Sequence, residues 1–196
     1  MSTSTPHGRR LALVSLSDLL AIFQDATWVP FSYSIWKLHA ALSDPAIPGL
    51  EVVLHEPRVP DAEAIADAIL RDRPDVVGFS AYMWSFATFA EATRIIKERK
   101  PDTTILFGGP SGRPVMFDLP AYRHLRPLIG AICMDEGEFV LRAVMEAPDR
   151  SPATLRTIAG LAVPEGDGWY HTPRPELPPL DSLPPRIHAR GDAMMA

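Results

Sequence analysis

The chain of 196 residues is 46% apolar and 22% charged, an ordinary balance for a globular protein with a real core and room for one domain plus an appendage. Its formal net charge of -5 leaves no cationic excess to neutralise phosphates, which argues against a general nucleic-acid binder. The single cysteine, Cys133, excludes an internal disulfide framework and any multi-cysteine metal or iron–sulfur site built from this sequence alone.

In chain order, the opening MSTSTPHGRR does not read as a signal peptide. The run Arg10–Leu16 is a buried strand, and Ser32–Leu42 is a helix with Ile35, Leu38 and Leu42 on one face. Leu50–Glu56 is a second strand. Asp61–Asp72 is the cleanest helix, with Asp61 as its cap and Ala62, Ile65, Ala66 and Ile69 as its stripe. Asp75–Ala81 is the third strand, Trp84–Arg99 the third helix and Thr103–Gly109 the fourth strand. A proline-containing segment with a short helix near Ala121–Leu125 follows, then a fifth strand at Ile129–Asp135. Glu136–Met145 closes the alternation, with Phe139, Val140, Ala143 and Val144 inward. No apolar run is long enough to span a membrane, so the expected location is cytoplasmic.

Five strands, apolar throughout and alternating with helices, predict an α/β fold. It is a doubly wound five-stranded parallel sheet, flavodoxin- or Rossmann-like. That domain is expected over residues 10–150. A β-hairpin extension is expected over 151–175, from TIAGLAV and GWYHT around PEGDG, and a proline-rich linker or tail over 176–196.

In such a sheet ligands gather beyond the carboxyl ends of the strands. The candidates there include Ser80, Gly108 and Gly109, where two strands end at nearly bare backbone. Either the glycines only make a turn and Ser80 only caps a helix, or the small residues admit a ligand. The phosphate fingerprints G-x-G-x-x-G and G-x-x-x-x-G-K-[ST] are absent, as is G-x-S-x-G. A receiver-domain role for Asp18 lacks the acidic neighbours and the later lysine it would need. Asp135 and Glu138 fit a D-x-x-E capping arrangement. His39, on a predicted helix, reads as a surface or core histidine rather than a ligand, and His55, after the second strand, has no metal-spaced partner.

The block PDVVGFSAYMWSFATFAEATRIIKERKPDTTILFGGPSG, with IGAICMDEGEFVLRAVME, resembles the cobalamin-binding domain of the cobalamin-dependent radical SAM family. The later IAGLAVPEGDGWYHTPRPELPPLDSLPP is similar to the segment leading from that domain toward the radical SAM barrel. The resemblance implies cobalamin as cofactor, with its dimethylbenzimidazole tail between the third and fourth strand ends. It assigns cofactor contacts to Ser80, Ala81, Tyr82, Gly108, Gly109, Pro110, Asp135, Gly137 and Glu138, and no catalytic or metal-ligating side chain.

Two departures qualify what the resemblance implies. Methyltransferases and mutases of this fold carry Asp-x-His-x-x-Gly after the first strand, whereas Ser17–Phe31 contains no histidine. The cofactor would therefore be base-off and without a histidine ligand, with Asp18, Gln24, Trp28, Pro30 and Tyr33 beneath or beside the corrin. The Cys-x-x-x-Cys-x-x-Cys motif of the radical SAM barrel is also missing, so this chain alone is expected to have no radical SAM activity. The implied role is a cobalamin-binding module for a radical SAM or methyltransferase subunit, without nucleic-acid or membrane partners. The rival is a degenerate, cofactor-free interaction or regulatory module, favoured if Trp28, Phe31 or Trp84 fills the tail slot.

Overall fold

The computed structural model describes residues 9–16 and 32–176. The expected contributions of Asp18, Gln24, Trp28, Pro30 and Phe31, and the proline-rich stretch from 177 onward, lie outside the described residues. The elements are β1 (Arg9–Val14), α1 (Tyr33–Ser43), β2 (Leu50–His55), α2 (Ala62–Arg71), β3 (Val76–Ser80), α3 (Phe86–Arg99), β4 (Thr104–Gly108), α4 (Pro114–Asp118), β5 (Ala131–Cys133), α5 (Gly137–Glu146), α6 (Pro152–Leu155), β6 (Leu161–Glu165) and β7 (Gly168–His171).

Strand order is β2-β1-β3-β4-β5-β6-β7, with β1 to β5 parallel. Order reverses between β1 and β3, the switch point of a flavodoxin-like sheet. The expected five parallel strands are present, but the sheet has seven in all. The hairpin does not stand apart: β6 pairs antiparallel with β5, and β7 with β6. Adding the hairpin here satisfies the backbone groups of β5, which would otherwise form an exposed edge. Gly166, at φ +53°, takes the first central position of the hairpin turn, where positive φ favours glycine.

Alternation along the strands divides the core between two faces. Ala12, Val14, Val77, Phe79, Ile105, Phe107 and Ile132 join one cluster with α2 and α3. Leu11, Leu13, Val76, Leu106 and Ala131 join the other with α1 and α5. α2 starts where expected because the Asp61 side chain accepts from the Ala64 N–H at 3.0 Å.

Three boundaries differ from the sequence reading. α3 begins at Phe86, two residues late, because Ser85 Oγ accepts from the Tyr82 N–H at 3.0 Å and holds a turn first. In the proline-containing segment the short helix expected near Ala121–Leu125 is a 3-10 helix at Arg123–Leu128, and α4 at Pro114–Asp118 precedes it. On α5 the buried set is Glu138, Val140, Leu141, Val144 and Met145; Phe139 and Ala143 are only half-buried, because the helix is turned to present Leu141 to the sheet.

Arg126 pins the hairpin to the main body. Its side chain is 7% exposed and donates to Asp118 Oδ1 at 2.6 Å and to the Asp167 carbonyl. Trp169 Nε1 donates to the same Asp118 oxygen at 3.1 Å, and the guanidinium lies 5.7 Å from the centre of the Trp169 ring. Arg126→Ala is therefore expected to cost about 1–3 kcal/mol in urea denaturation, by leaving these acceptors unpaired. A loss below about 0.5 kcal/mol, the usual scatter of surface changes, would mean that the β5–β6 ladder alone holds the hairpin.

Candidate functional site

The sheet face toward α1 and α5 carries Leu13, Gly78, Ser80, Leu106, Gly108 and Cys133 in its central strands. Register arranges them in rows across the sheet: Leu13 faces Gly78, Gly78 faces Leu106, and Ser80 faces Gly108. Two of these inward positions have no side chain. The result is a cavity of about 470 Å³ between this face and the two helices, opening at the carboxyl ends of the strands. That volume lies within the range of small-molecule sites.

The glycines around it do different work. Gly109 has φ +80°, and a Cβ there would lie 2.8 Å from the Ala81 carbonyl oxygen. A Cβ on Gly112 would sit 2.3 Å from the Gly108 carbonyl oxygen. These two are required by the turn, in which Ala81 N–H donates to Gly108 O at 2.8 Å and Ser111 N–H to Ala81 O at 3.0 Å. Gly108 is different: its nearest neighbour would be Cys133 Cβ at an ordinary 3.7 Å. Backbone geometry does not demand glycine there, and its missing side chain becomes cavity. Gly78 also lines the cavity in the deeper row, but there a Cβ would lie a tight 3.0 Å from Leu13 Cδ2, so Leu13 leans over part of that space.

Polar groups collect at the mouth. Ser80 is buried and shares a hydrogen bond of 3.0 Å with Ser34 Oγ, which is 2.9 Å from Ser32 Oγ. Lys37 and Glu138 form a 2.6 Å ion pair between α1 and α5, with the Glu138 side chain 9% exposed. The Glu138 carboxylate holds the Lys37 ammonium above its usual range. Arg113 donates to the Met134 carbonyl at 2.6 Å, and Asp135 lies 3.6 Å from Arg174 Nε. Burial pushes the Cys133 thiol up to about 12, so it is a neutral wall group rather than a nucleophile.

Of the residues expected at the site, Ser80, Tyr82, Gly108, Gly109, Pro110, Asp135, Gly137 and Glu138 line this cavity. Ala81 does not; it is buried and bonded to the β4 turn. Tyr33 lines the mouth and is exposed. The capping arrangement of Asp135 and Glu138 does not form: Glu136 is the N-cap residue of α5 and makes no side-chain cap bond. Glu138 is drawn to Lys37 across the helix pair instead, and Asp135 to Arg174. His55 does not line the cavity; its Nε2 lies 3.0 Å from Asp72, and burial lowers its pKa. Trp84 stays 43% exposed, stacked on Tyr82 at 4.7 Å, with its Nε1 donating to Leu16 O.

Sequence reasoning missed Gly78, Lys37, Leu38, Leu106 and Leu141, all of which line the cavity. Gly78 had a local signal, because an isolated glycine inside a strand marks a close approach or an absent side chain. Lys37 and Leu141 had none, since their roles depend on how two distant helices pair.

Among the described residues no group of three or more His, Cys, Asp or Glu side chains could hold a metal ion, and no helix is long and apolar enough to cross a membrane. The cavity instead joins an apolar depth to a polar mouth, which suits an organic ligand with one apolar and one polar end. Residues 31–145 match the family model described as the B12 binding domain. The chain is 26% identical over 128 residues to the cobalamin-dependent radical SAM methyltransferase TokK of Streptomyces tokunonensis, covering 64% of this chain and 18% of that protein. It is 29% identical over 114 residues to the 2-(S-pantetheinyl)-carbapenam-3-carboxylate methyltransferase of Streptantibioticus cattleyicolor, covering 58% of this chain and 16% of that one. It thus spans less than a fifth of the length of these curated relatives. Its fold is similar to that of the cobalamin-dependent S-adenosylmethionine radical enzyme OxsB with aqua-cobalamin and S-adenosylmethionine bound. The TM-score is 0.65 at 18% identity, over 87% of this chain and 23% of OxsB.

The division of labour among the glycines is testable by substitution. Gly109→Ala is expected to cost about 1–3 kcal/mol, from positive φ and a backbone clash. Gly108→Ala should stay within about 0.5 kcal/mol of the parent while narrowing the cavity. Equal losses in thermal and urea unfolding would refute the distinction. Lys37→Met leaves a buried carboxylate without its cation and should cost about 1–3 kcal/mol at pH 7. Adding Glu138→Gln should recover part of that loss, and identical single and double variants would show that the two groups are uncoupled. Because the Lys37 pKa is raised, the ammonium's contribution is fully present at pH 7 and is lost only as pH climbs from 10.5 through the raised value.

Proposed function

The chain belongs to the B12-binding domain family, and from that premise we propose that it is a cobalamin-binding module serving a radical SAM or methyl-transfer partner. The observation that carries this reading is the side-chain-free stripe of Gly78 and Gly108 beneath α1 and α5. It leaves a slot about 470 Å³ in volume, walled by carbon at its depth and by hydroxyls and charges at its mouth. A dimethylbenzimidazole nucleotide has the same polarity sequence: a flat carbon-rich ring, then ribose and phosphate.

In this reading Gly78 and Gly108 give the tail room, and Ser80 with Ser34 offers hydroxyls to a tail atom that would otherwise be buried unpaired. Lys37 and Glu138 pin the two helices to each other at the mouth. Cobalamin, when bound, supplies a cobalt able to carry a methyl group; the chain contributes position and exclusion of water. With its tail in the slot the cofactor would be base-off, and with no histidine in Ser17–Phe31 that loop would offer it no histidine ligand. The partner, within a longer protein or separate, supplies the iron–sulfur chemistry that Cys133 alone cannot. Trp84, named as a potential plug, is not among the cavity-lining residues, which weighs against the cofactor-free module.

Reconstitution with hydroxocobalamin, gel filtration and a visible spectrum of the protein peak test the reading. The expected result is co-eluting corrinoid with a base-off spectrum, lost in Gly108→Trp, whose side chain fills the slot. Colourless protein across a wide cobalamin range would sink the module as a carrier and leave the interaction module standing.

A further inference from the structure

The floor of the cavity differs in kind from its mouth, and a single helical turn separates them. α1 and α5 both begin at the carboxyl ends of the strands and run down the sheet face, so their first turns sit at the mouth. Those turns carry Ser34 and Glu138, with Lys37 following directly on α1. One turn deeper the same helices present Leu38 and Leu141, opposite the sheet row Leu13–Gly78–Leu106. Every side-chain atom in that layer is carbon. Its backbone is also spoken for: Leu13, Gly78 and Leu106 belong to the parallel ladder, and Leu38 and Leu141 lie within helices. Among the described residues, a polar atom driven into the floor therefore meets no free donor or acceptor.

The geometry points to selection of the corrinoid by its lower base: the slot takes a benzimidazole and discriminates against a purine. This rests on the tail-binding reading above. Dimethylbenzimidazole and adenine share a five-membered ring whose free nitrogen can meet Ser80. They differ in the fused six-membered ring, which is all carbon in one and carries two ring nitrogens and an amino group in the other. Each such group buried without a partner weakens binding by about tenfold, the fold-change equivalent of an unsatisfied buried polar atom. Discrimination of this sort comes from the penalty on the wrong ligand rather than from an added contact to the right one.

Equilibrium dialysis of the full chain against three corrinoids tests the inference: cobalamin, its analogue with adenine as lower base, and cobinamide, which lacks the nucleotide. Cobalamin is expected to bind at least about tenfold tighter than the adenine analogue, and tighter than cobinamide. Leu141→Asn places an amide in the floor and should shrink the preference by about threefold or more, a fraction of one recovered hydrogen bond. Gly78→Ser brings a hydroxyl to the same layer and should act in the same direction should the first variant fail to fold. The cost of freeing each base from cobalt belongs to the corrinoid and cancels in the parent-to-variant ratio. Equal affinity for the two nucleotide-bearing corrinoids, unchanged in the variants, would overturn base selection while leaving tail binding intact. Equal affinity for cobalamin and cobinamide would overturn the use of the slot itself. No binding of any of the three would overturn the proposed function, and this inference with it.

Discussion

A sheet covered on both faces has to be packed on both faces, yet on one of them positions 78 and 108 offer no side chain. The rest of the structure depends on how that deficit is kept from collapsing, since protein interiors otherwise close to crystal-like density. α1 and α5 rest on each other as well as on the sheet: a Cβ on Gly137 would lie 3.1 Å from Leu38 Cδ2. Arg142 ties them further, donating to the carbonyls of Ala41 and Pro45 at 2.9 Å each. The Lys37–Glu138 pair closes the same helix pair at the mouth. Leu42, Val144 and Met145 lower down, with Ile35 and Val140 nearer the mouth, join Leu11 and Val76 in a continuous core. The helices thus bridge over the glycine stripe, anchored above and below it.

The opposite face supplies the stiffness that this arrangement needs. Phe79 stands between Gly78 and Ser80 in β3, and Phe107 between Leu106 and Gly108 in β4, each pointing away from the cavity. Phe79 stacks on Phe89 at 4.6 Å, while Phe86, Phe107 and Phe117 meet one another at 4.9 to 6.0 Å. Aromatic burial of this kind contributes strongly per residue and fixes the strands from behind. Alternation within two adjacent strands therefore puts the bulk on one side and the opening on the other, so that the thin face need not carry its own rigidity.

How much of this could be read from the sequence follows from the range of each interaction. Strand and helix alternation, the Asp61 cap and the β3 and β4 termini are local, and period-two and period-3.6 patterns reveal them directly. Ser80, Gly108 and Gly109 were legible as a set because two strand ends of the same composition lie one helix apart. Which glycine serves the turn and which serves the cavity was not legible, since that rests on Ala81 and Cys133 standing across a ladder. The Asp135–Glu138 spacing misled for the same reason: a capping motif is a local competitor, and Lys37, a hundred residues earlier, won the carboxylate. The hairpin was visible as a hairpin, but its union with β5 was not, because edge pairing depends on which strand ends the sheet.

That union also determines where the chain leaves the hairpin. β6 starts beside α5, where a Cβ on Gly160 would come within 2.7 Å of Val140 Cγ2, and the turn at Gly166 sends β7 back along it. Gly160 N–H then donates to the Pro173 carbonyl at 2.8 Å, and Arg174 arrives next to Asp135, a residue of the cavity lining. Had the hairpin stood free of the sheet, the chain leaving it could emerge anywhere around the domain. Pairing with β5 and the Arg126–Asp118–Trp169 cluster remove that freedom and return the backbone to the cavity's rim. Anything joined after residue 176 starts from the side of the molecule where the polar mouth opens. The same short ladder that protects the sheet edge therefore also fixes where the chain leaves the hairpin, beside the cavity's rim.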